Sequence, residues 1–250
     1  MFARIISTLL LTGIGGWSPW ALWWALVATS ANSLSQINSP IELYIYALLT
    51  YGVHSFISDT LPCKRLKVRG EMKRPSFAKM FPVVVSNLLS VLPLVAVIPS
   101  NYLHHKEIDI TMFFIYIFWA VLGNELIYAP IHRLLHNSYL FKHIHYKHHK
   151  MSSPCAFGAA YCHPVEMWVA NLTSFILPLF FVNAPSPVWK AWLVSGIMGT
   201  QHQHSGKDWP WSRYDHQPNT HNDHHRYVNQ HFGNIGFFEK PMNYFLPCSH

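Results

Sequence analysis

Charged side chains are scarce in this chain: 12% of its 250 residues are Asp, Glu, Lys or Arg, against about 25% in an ordinary soluble domain. Half of the residues are hydrophobic and 15% are aromatic. This balance excludes an ordinary water-soluble globule and implies a membrane protein. Cysteine is sparse as well. The four present (Cys63, Cys155, Cys162 and Cys248) form no Cys-x-x-Cys pair, which excludes a disulfide framework and a cysteine-based zinc site. They read as small buried apolar residues. Acids are the rarest charged type, 11 against 18 Lys and Arg. No Glu-x-x-His occurs, so the carboxylate-bridged di-iron site of soluble helical bundles is excluded. His-Glu-x-x-His is missing too, which argues against a zinc protease.

Histidine is what the chain has in excess, with 18 residues. Eight of them fall into three clusters: His132 and His136; His145, His148 and His149; His221, His224 and His225. Residues three and four apart are neighbours on a helix, so each cluster puts its imidazoles on one side of its helix. The pair can clasp one metal from a single turn, and each triplet can offer ligands to two adjacent metals. Eight imidazoles exceed the capacity of one ion, so two metals are the natural count. Imidazole suits iron, zinc and copper alike, and the ligand set alone does not choose among them. His54, His104, His105, His143, His216, His231 and His250 lack the motif spacing.

Long apolar stretches organise the rest. Ile5–Ser30, Ile41–Asp59, Met80–Pro99 and Ile110–Ala129 each approach the roughly 20 residues that cross a hydrocarbon core as a helix. The first exceeds the apolar region of a cleavable signal peptide and is expected to be retained. A shorter pair, Met167–Val182 and Val188–Thr200, flanks the turn signal Asn183-Ala-Pro-Ser-Pro187 and reads as a hairpin dipping into the bilayer. The formal charge of +7 is uneven: seven basic residues lie between Lys64 and Lys79, with only Glu71 opposing them. Between two apolar spans this stretch reads as a cytosolic loop facing anionic lipid and not as a nucleic-acid patch. With that loop in the cytosol, the parity of the spans brings all three histidine clusters to the cytosolic face. The expected fold is therefore an all-α integral membrane protein: four transmembrane helices, a shorter membrane hairpin and a cytosolic, helical, histidine-rich metal-binding cap. Residues 1–109 would form the anchoring region and residues 110–250 the catalytic one.

The histidines also stand in recognisable company. His132-Arg-Leu-Leu-His136, then HIHYKHH over 143–149, then Ala160-Tyr-Cys-His-Pro-Val-Glu166, then His204-Ser-Gly206, and His221-Asn-Asp-His-His225 resemble the fatty acid hydroxylase superfamily. That family holds sterol C4-methyl oxidases, cholesterol 25-hydroxylase, sterol C5 desaturases and sphingolipid hydroxylases. The resemblance covers residues from about 110 to 240, and the His-Ser-Gly segment with Trp209-Pro-Trp211 looks most like the sterol branch. It implies a membrane-bound, oxygen-dependent non-haem enzyme with two iron ions. The implied ligands are His132, His136, His145, His148, His149, His221, His224 and His225, with His163 of the His-Pro motif and His204 completing the set. His202 stands just outside the motif. Glu125, Glu166 and Asp223 would orient ligand imidazoles, Glu166 having the alternative of a helix N-terminal acid. Two electrons per O2 would come from NAD(P)H through a separate cytochrome b5 and reductase, since no His-Pro-Gly-Gly haem signature is present.

Two departures from the family pattern stand out. Pro130 is expected to break or kink the helix ahead of His132, and the segment after Gly236 is short and divergent. The resulting expectation is hydroxylation of a lipid, a sterol methyl or side-chain carbon first, in the endoplasmic reticulum with the site facing the cytosol. Desaturation or hydroxylation of another lipid of the same superfamily is the nearest alternative. A non-catalytic lipid- or metal-binding membrane protein is the next, and a zinc transporter the weakest, since transporter sites lie near the bilayer midplane.

Overall fold

The computed structural model describes residues 39–63, 74–97, 108–209 and 217–234. The expected first span, Ile5–Ser30, lies outside them, as do most of the basic stretch and the segment after Gly236. The regular elements among the described residues are helical. They run α1 (Pro40–Thr60), α2 (Phe77–Leu89), α3 (Leu92–Val97), α4 (Ile110–Leu135), α5 (Ser138–Leu140), α6 (Tyr146–His149), α7 (Pro164–Glu166), α8 (Thr173–Phe181), α9 (Ser186–Gln203) and α10 (Asn219–Tyr227). Two π-helical segments, Phe141–His145 and Met167–Leu172, join α5 to α6 and α7 to α8, and a 3₁₀ segment, Ala156–Ala160, precedes α7.

Three helical stretches among the described residues are long and apolar enough to cross a membrane: Phe77–Ala96, Thr111–Leu135 and Pro164–Phe181. The first two are the third and fourth expected spans, and the last is the first arm of the expected hairpin. α1, the second expected span, has the length, but Tyr44, Tyr51, His54 and Ser55 interrupt its apolar run, and it is not among the three. Its pattern is nevertheless inside out. Ile41, Ile45, Leu49, Val53 and Phe56 form an exposed stripe at helical spacing, while Tyr44, Tyr51, Ser55 and Ser58 are buried. A helix in water shows the reverse. The second hairpin arm, α9, faces protein: 14 of its 18 residues are buried.

Pro130 does not end α4, which continues through it to Leu135. In an apolar medium the flanking backbone groups have no water to turn to, so the helix keeps its remaining hydrogen bonds and loses only the one that proline cannot make. Small residues set the closest helix approaches. A Cβ on Gly123 of α4 would lie 2.8 Å from Pro178 Cβ of α8, and one on Gly196 of α9 would overlap the Phe175 ring. The Trp192 indole N–H donates to the Phe175 carbonyl (2.7 Å) with the two rings stacked. The turn between α8 and α9 closes on Asn183 at φ 47°, a left-handed conformation that asparagine tolerates.

These contacts fix which ends of the helices meet. The buried Lys207 ammonium donates to the Ser58 carbonyl and to that of Leu61 (2.7 Å), capping the C-terminal end of α1. Phe77 and Phe81 at the start of α2 pack on Phe157. The C-terminal ends of α1, α4 and α9 and the N-terminal end of α2 therefore converge on one side, where the histidines are.

Candidate metal centre

Nine histidines come together there in two abutting groups. His132, His136, His145, His149 and His224 form one; His148, His204, His221 and His225 form the other, and within each group the ligand nitrogens lie within 4.8 Å of one another. α4 supplies His132, and His136 caps its C-terminal end; the π-helical turn and α6 supply the second cluster, and α10 the third. His204 follows the last residue of α9. The groups meet where His149 faces His225, at a ring separation of 4.8 Å.

Hydrogen bonds on the outer nitrogens decide where the inner lone pairs point. His132 Nδ1 donates to the Phe232 carbonyl (2.7 Å), His204 Nδ1 to that of Thr200 (2.7 Å) and His224 Nδ1 to that of Gln230 (2.6 Å). A carbonyl only accepts, so these Nδ1 atoms carry the proton and each Nε2 presents a bare lone pair. His145 Nδ1 lies 3.0 Å from Glu166 Oε2, so its outer side faces the carboxyl group. The bare His132 Nε2 faces His145 Nε2 across 3.1 Å. Nε2 atoms approach as closely at His145–His149 (3.1 Å), His148–His204 (3.2 Å), His204–His221 (2.9 Å) and His221–His225 (3.0 Å).

These separations fit metal coordination. An ion about 2.1 Å from each of two imidazole nitrogens at right angles sets them roughly 3 Å apart. The inner His224 Nε2 and both ring nitrogens of His136 are buried without a hydrogen-bond partner among the described residues, a costly state that ligation would relieve. Burial first, and then the neighbouring imidazoles, push the pKa of His136, His145, His148, His149, His221 and His225 down, and burial foremost brings His204 and His224 to about 4. The rings are thus neutral at pH 7, the form that binds metal.

The expected residues divide as follows. Nine of the ten histidines named from the sequence are assembled. His163 is not among them: half-buried, it precedes Pro164 and its Nδ1 accepts the Val165 N–H (3.2 Å), capping α7. His202 is buried near Trp209 and outside both groups. Glu166 contacts a grouped imidazole. Glu125 acts at one remove: its Oε2 accepts the Asn234 N–H (2.8 Å) and so tethers the segment whose Phe232 carbonyl holds His132. A Cβ on Gly233 would overlap that carboxylate, so glycine is required at this close approach. Asp223 is half-buried and makes no polar contact among the described residues.

Sequence reasoning missed the frame that holds Glu166. Asp59 accepts the backbone N–H groups of Ala156 and Phe157 (2.9 Å each), the Tyr51 hydroxyl donates to the Phe157 carbonyl (2.7 Å), and the Asn87 amide donates to the carbonyls of Ala160 and Cys162. Together they pin the strand of chain leading into α7. Polar residues inside apolar helices were the available signal. Cys155 and Cys162 are buried and in no disulfide, as expected.

A cavity of about 270 Å³ runs from the apolar end near Leu43 and Val95, past Trp192 and Tyr128, to His148 and His204. The Tyr128 ring stands 5.0 Å from that of His132. An apolar passage ending on polar groups suits a mostly hydrocarbon ligand.

Comparison with known proteins gives a consistent picture. The profile of the fatty acid hydroxylase family matches residues 117–244. The chain is 29% identical over 123 residues to a fatty acid hydroxylase of Mycosarcoma maydis, covering 48% of this chain and 31% of that protein. It is 39% identical over 80 residues to methylsterol monooxygenase 1 of Gallus gallus, covering 32% of this chain and 27% of that one. A very-long-chain aldehyde decarbonylase of Oryza sativa is 30% identical over 123 residues, 47% of this chain and 46% of the relative. In each case less than half of the relative is spanned. No solved structure matches the chain.

Proposed function

The chain belongs to the fatty acid hydroxylase family, and from that membership we propose that it is a membrane-bound, metal-dependent oxygenase that hydroxylates a lipid. The observation that carries the reading is the pair of abutting imidazole groups at the inner end of an apolar cavity. His132, His136, His145, His149 and His224 would hold one iron, and His148, His204, His221 and His225 the other. Bound iron would supply activation of O2. The residues do the rest. The Phe232, Thr200 and Gln230 carbonyls fix imidazole tautomers, Glu166 faces His145, and the apolar walls exclude water and lead a hydrocarbon to His148 and His204. Tyr128 shares that end of the cavity, between the walls and His132.

The overall reaction is RH + O2 + 2 e⁻ + 2 H⁺ → ROH + H2O, with the electrons drawn from NAD(P)H through cytochrome b5 and its reductase. A sterol methyl or side-chain carbon is the first substrate to test, because methylsterol monooxygenases are among the relatives. Fatty-acid hydroxylation is the second, on the relative of that name. Residence in the endoplasmic reticulum with the histidine side in the cytosol accords with the basic stretch 64–79, both described ends of which lie on that side.

Purified protein should bind about two irons per chain and consume O2 with a methyl sterol or a long-chain acyl lipid. Mass spectrometry of the product separates a gain of one oxygen from a loss of two hydrogens, the mark of desaturation. Iron-free protein with undiminished turnover, or iron-loaded protein inert toward both lipid classes, would refute the reading.

A further inference from the structure

The outer face of the histidine helix is built for a partner. Between Leu126 and Val165 the chain has no Asp or Glu, yet it carries Arg133, Lys142, Lys147 and Lys150. Tyr139, Lys142, His143, Tyr146 and Lys150 are all exposed and fall three and four residues apart, so they share one face. The opposite side of the same helix carries the buried His145, His148 and His149. Helix diameter with side chains is about 10–12 Å, which puts the cationic surface within roughly one helix thickness of both imidazole groups.

The half-buried Phe141 stands between these layers. Its ring centroid is 6.0 Å from exposed Tyr146, and 5.3, 5.4 and 6.0 Å from His149, His136 and His145. A continuous series of ring contacts thus leads from the surface into the five-histidine group.

The geometry points to this face, Tyr139 to Lys150, as the docking site for an acidic one-electron carrier protein, the source of the two electrons that the proposed oxygenation consumes. The inference rests on that proposed function. Charge complementarity selects the partner: a cationic surface without acids steers and orients an anionic one, and tyrosines are favoured interface residues. The alternative occupant, a lipid surface, is held by aliphatic side chains that insert beside the cations. Here Leu140 and Ile144 are half-buried, and the exposed residues of the face are two tyrosines, a histidine and two lysines.

The test uses the full chain in phosphatidylcholine nanodiscs, with the soluble haem domain of cytochrome b5 as the probe. Wild-type protein should bind it, and binding should weaken between roughly 0.02 and 0.3 M salt as screening grows. The combined variant Lys142→Glu and Lys150→Glu should raise Kd at least tenfold. It should keep its iron content, its melting temperature and its single-turnover product yield when the lipid-bound protein is reduced anaerobically with dithionite, freed of the excess and then mixed with O2. Unchanged Kd in a folded variant would overturn the assignment. So would a melting temperature that rises from phosphatidylcholine to phosphatidylserine discs in wild type only, with equal donor affinity, since that outcome assigns the face to lipid headgroups. Absence of product from that single turnover in wild type would instead overturn the oxygenase reading, whatever the binding result.

Discussion

Glu166 is the residue on which the five-histidine group turns, because it is the carboxylate seen in contact with a grouped imidazole. Replacing it with Gln keeps the shape and removes the carboxyl group that faces His145 Nδ1 at 3.0 Å. Iron affinity, read by chelator competition, should fall about 10- to 100-fold, the usual cost of losing a group that orients a metal-binding histidine. Gly233→Ala should act from farther off. Its Cβ displaces the Glu125 carboxylate, loosening the Asn234 tether and with it the Phe232 carbonyl on His132. Overpacking of this kind costs about 1–3 kcal/mol, measurable as a lowered melting temperature, while Gly233→Ser should be no better tolerated.

At this scale the sequence was most legible where side chains supply the chemistry. The helical spacing of His145, His148 and His149 requires three rings on one side, and the structure has them there. It was least legible where the backbone does. The carbonyls of Phe232, Thr200 and Gln230 orient three imidazoles, and any residue type could provide them. His163 shows the converse: a histidine within a recognisable motif that serves as a helix cap, because the following Pro164 occupies the first helical position, where proline is favoured.

Among the elements, α4 and α8 depend on a contact with no slack. Gly123→Val would drive side-chain atoms into Pro178, so the two helices must separate or shift. Melting in detergent should show a loss of about 1–3 kcal/mol, and Gly52→Val, at a glycine with open space around it, should cost much less. The apolar runs that became these helices were readable from length and composition. Their π-helical joints, Phe141–His145 and Met167–Leu172, were not. Hydrogen-bond register there is set by what the side chains must reach, His145 toward the imidazoles and Glu166 toward His145. The continuity of α4 through Pro130 was hidden for a related reason: solvent decides it, and the residue alone does not.

For the molecule as a whole, the neutral cage links acidity to stability. An unfolded chain protonates histidine near pH 6.5, whereas the fold holds His204 and His224 neutral down to about 4. Below 6.5 the unfolded state therefore binds more protons. Stability is fully present above pH 6.5 and is lost as pH falls toward 4. At pH 5 these two groups together cost on the order of 4 kcal/mol. The melting temperature of iron-free protein should drop steadily from pH 7 to pH 5; a flat profile would show that burial does not suppress their protonation.

The two imidazole groups draw on segments far apart along the chain, and this gives the site a history in time. His132 and His136 leave the ribosome first, and His225 follows roughly ninety residues later, at about 5–20 residues per second a delay of roughly 5–20 seconds. Through that interval His145 and His149 have already joined them beside an unfinished wall, while His204 and all of α10 are still to be made. The early partial set is open to whichever ion arrives, and only the last cluster can close it. Slowing translation between codons 150 and 220 would lengthen the exposure of that partial set, and a changed metal occupancy without a single changed residue would show that the order of synthesis bears on which ion is kept.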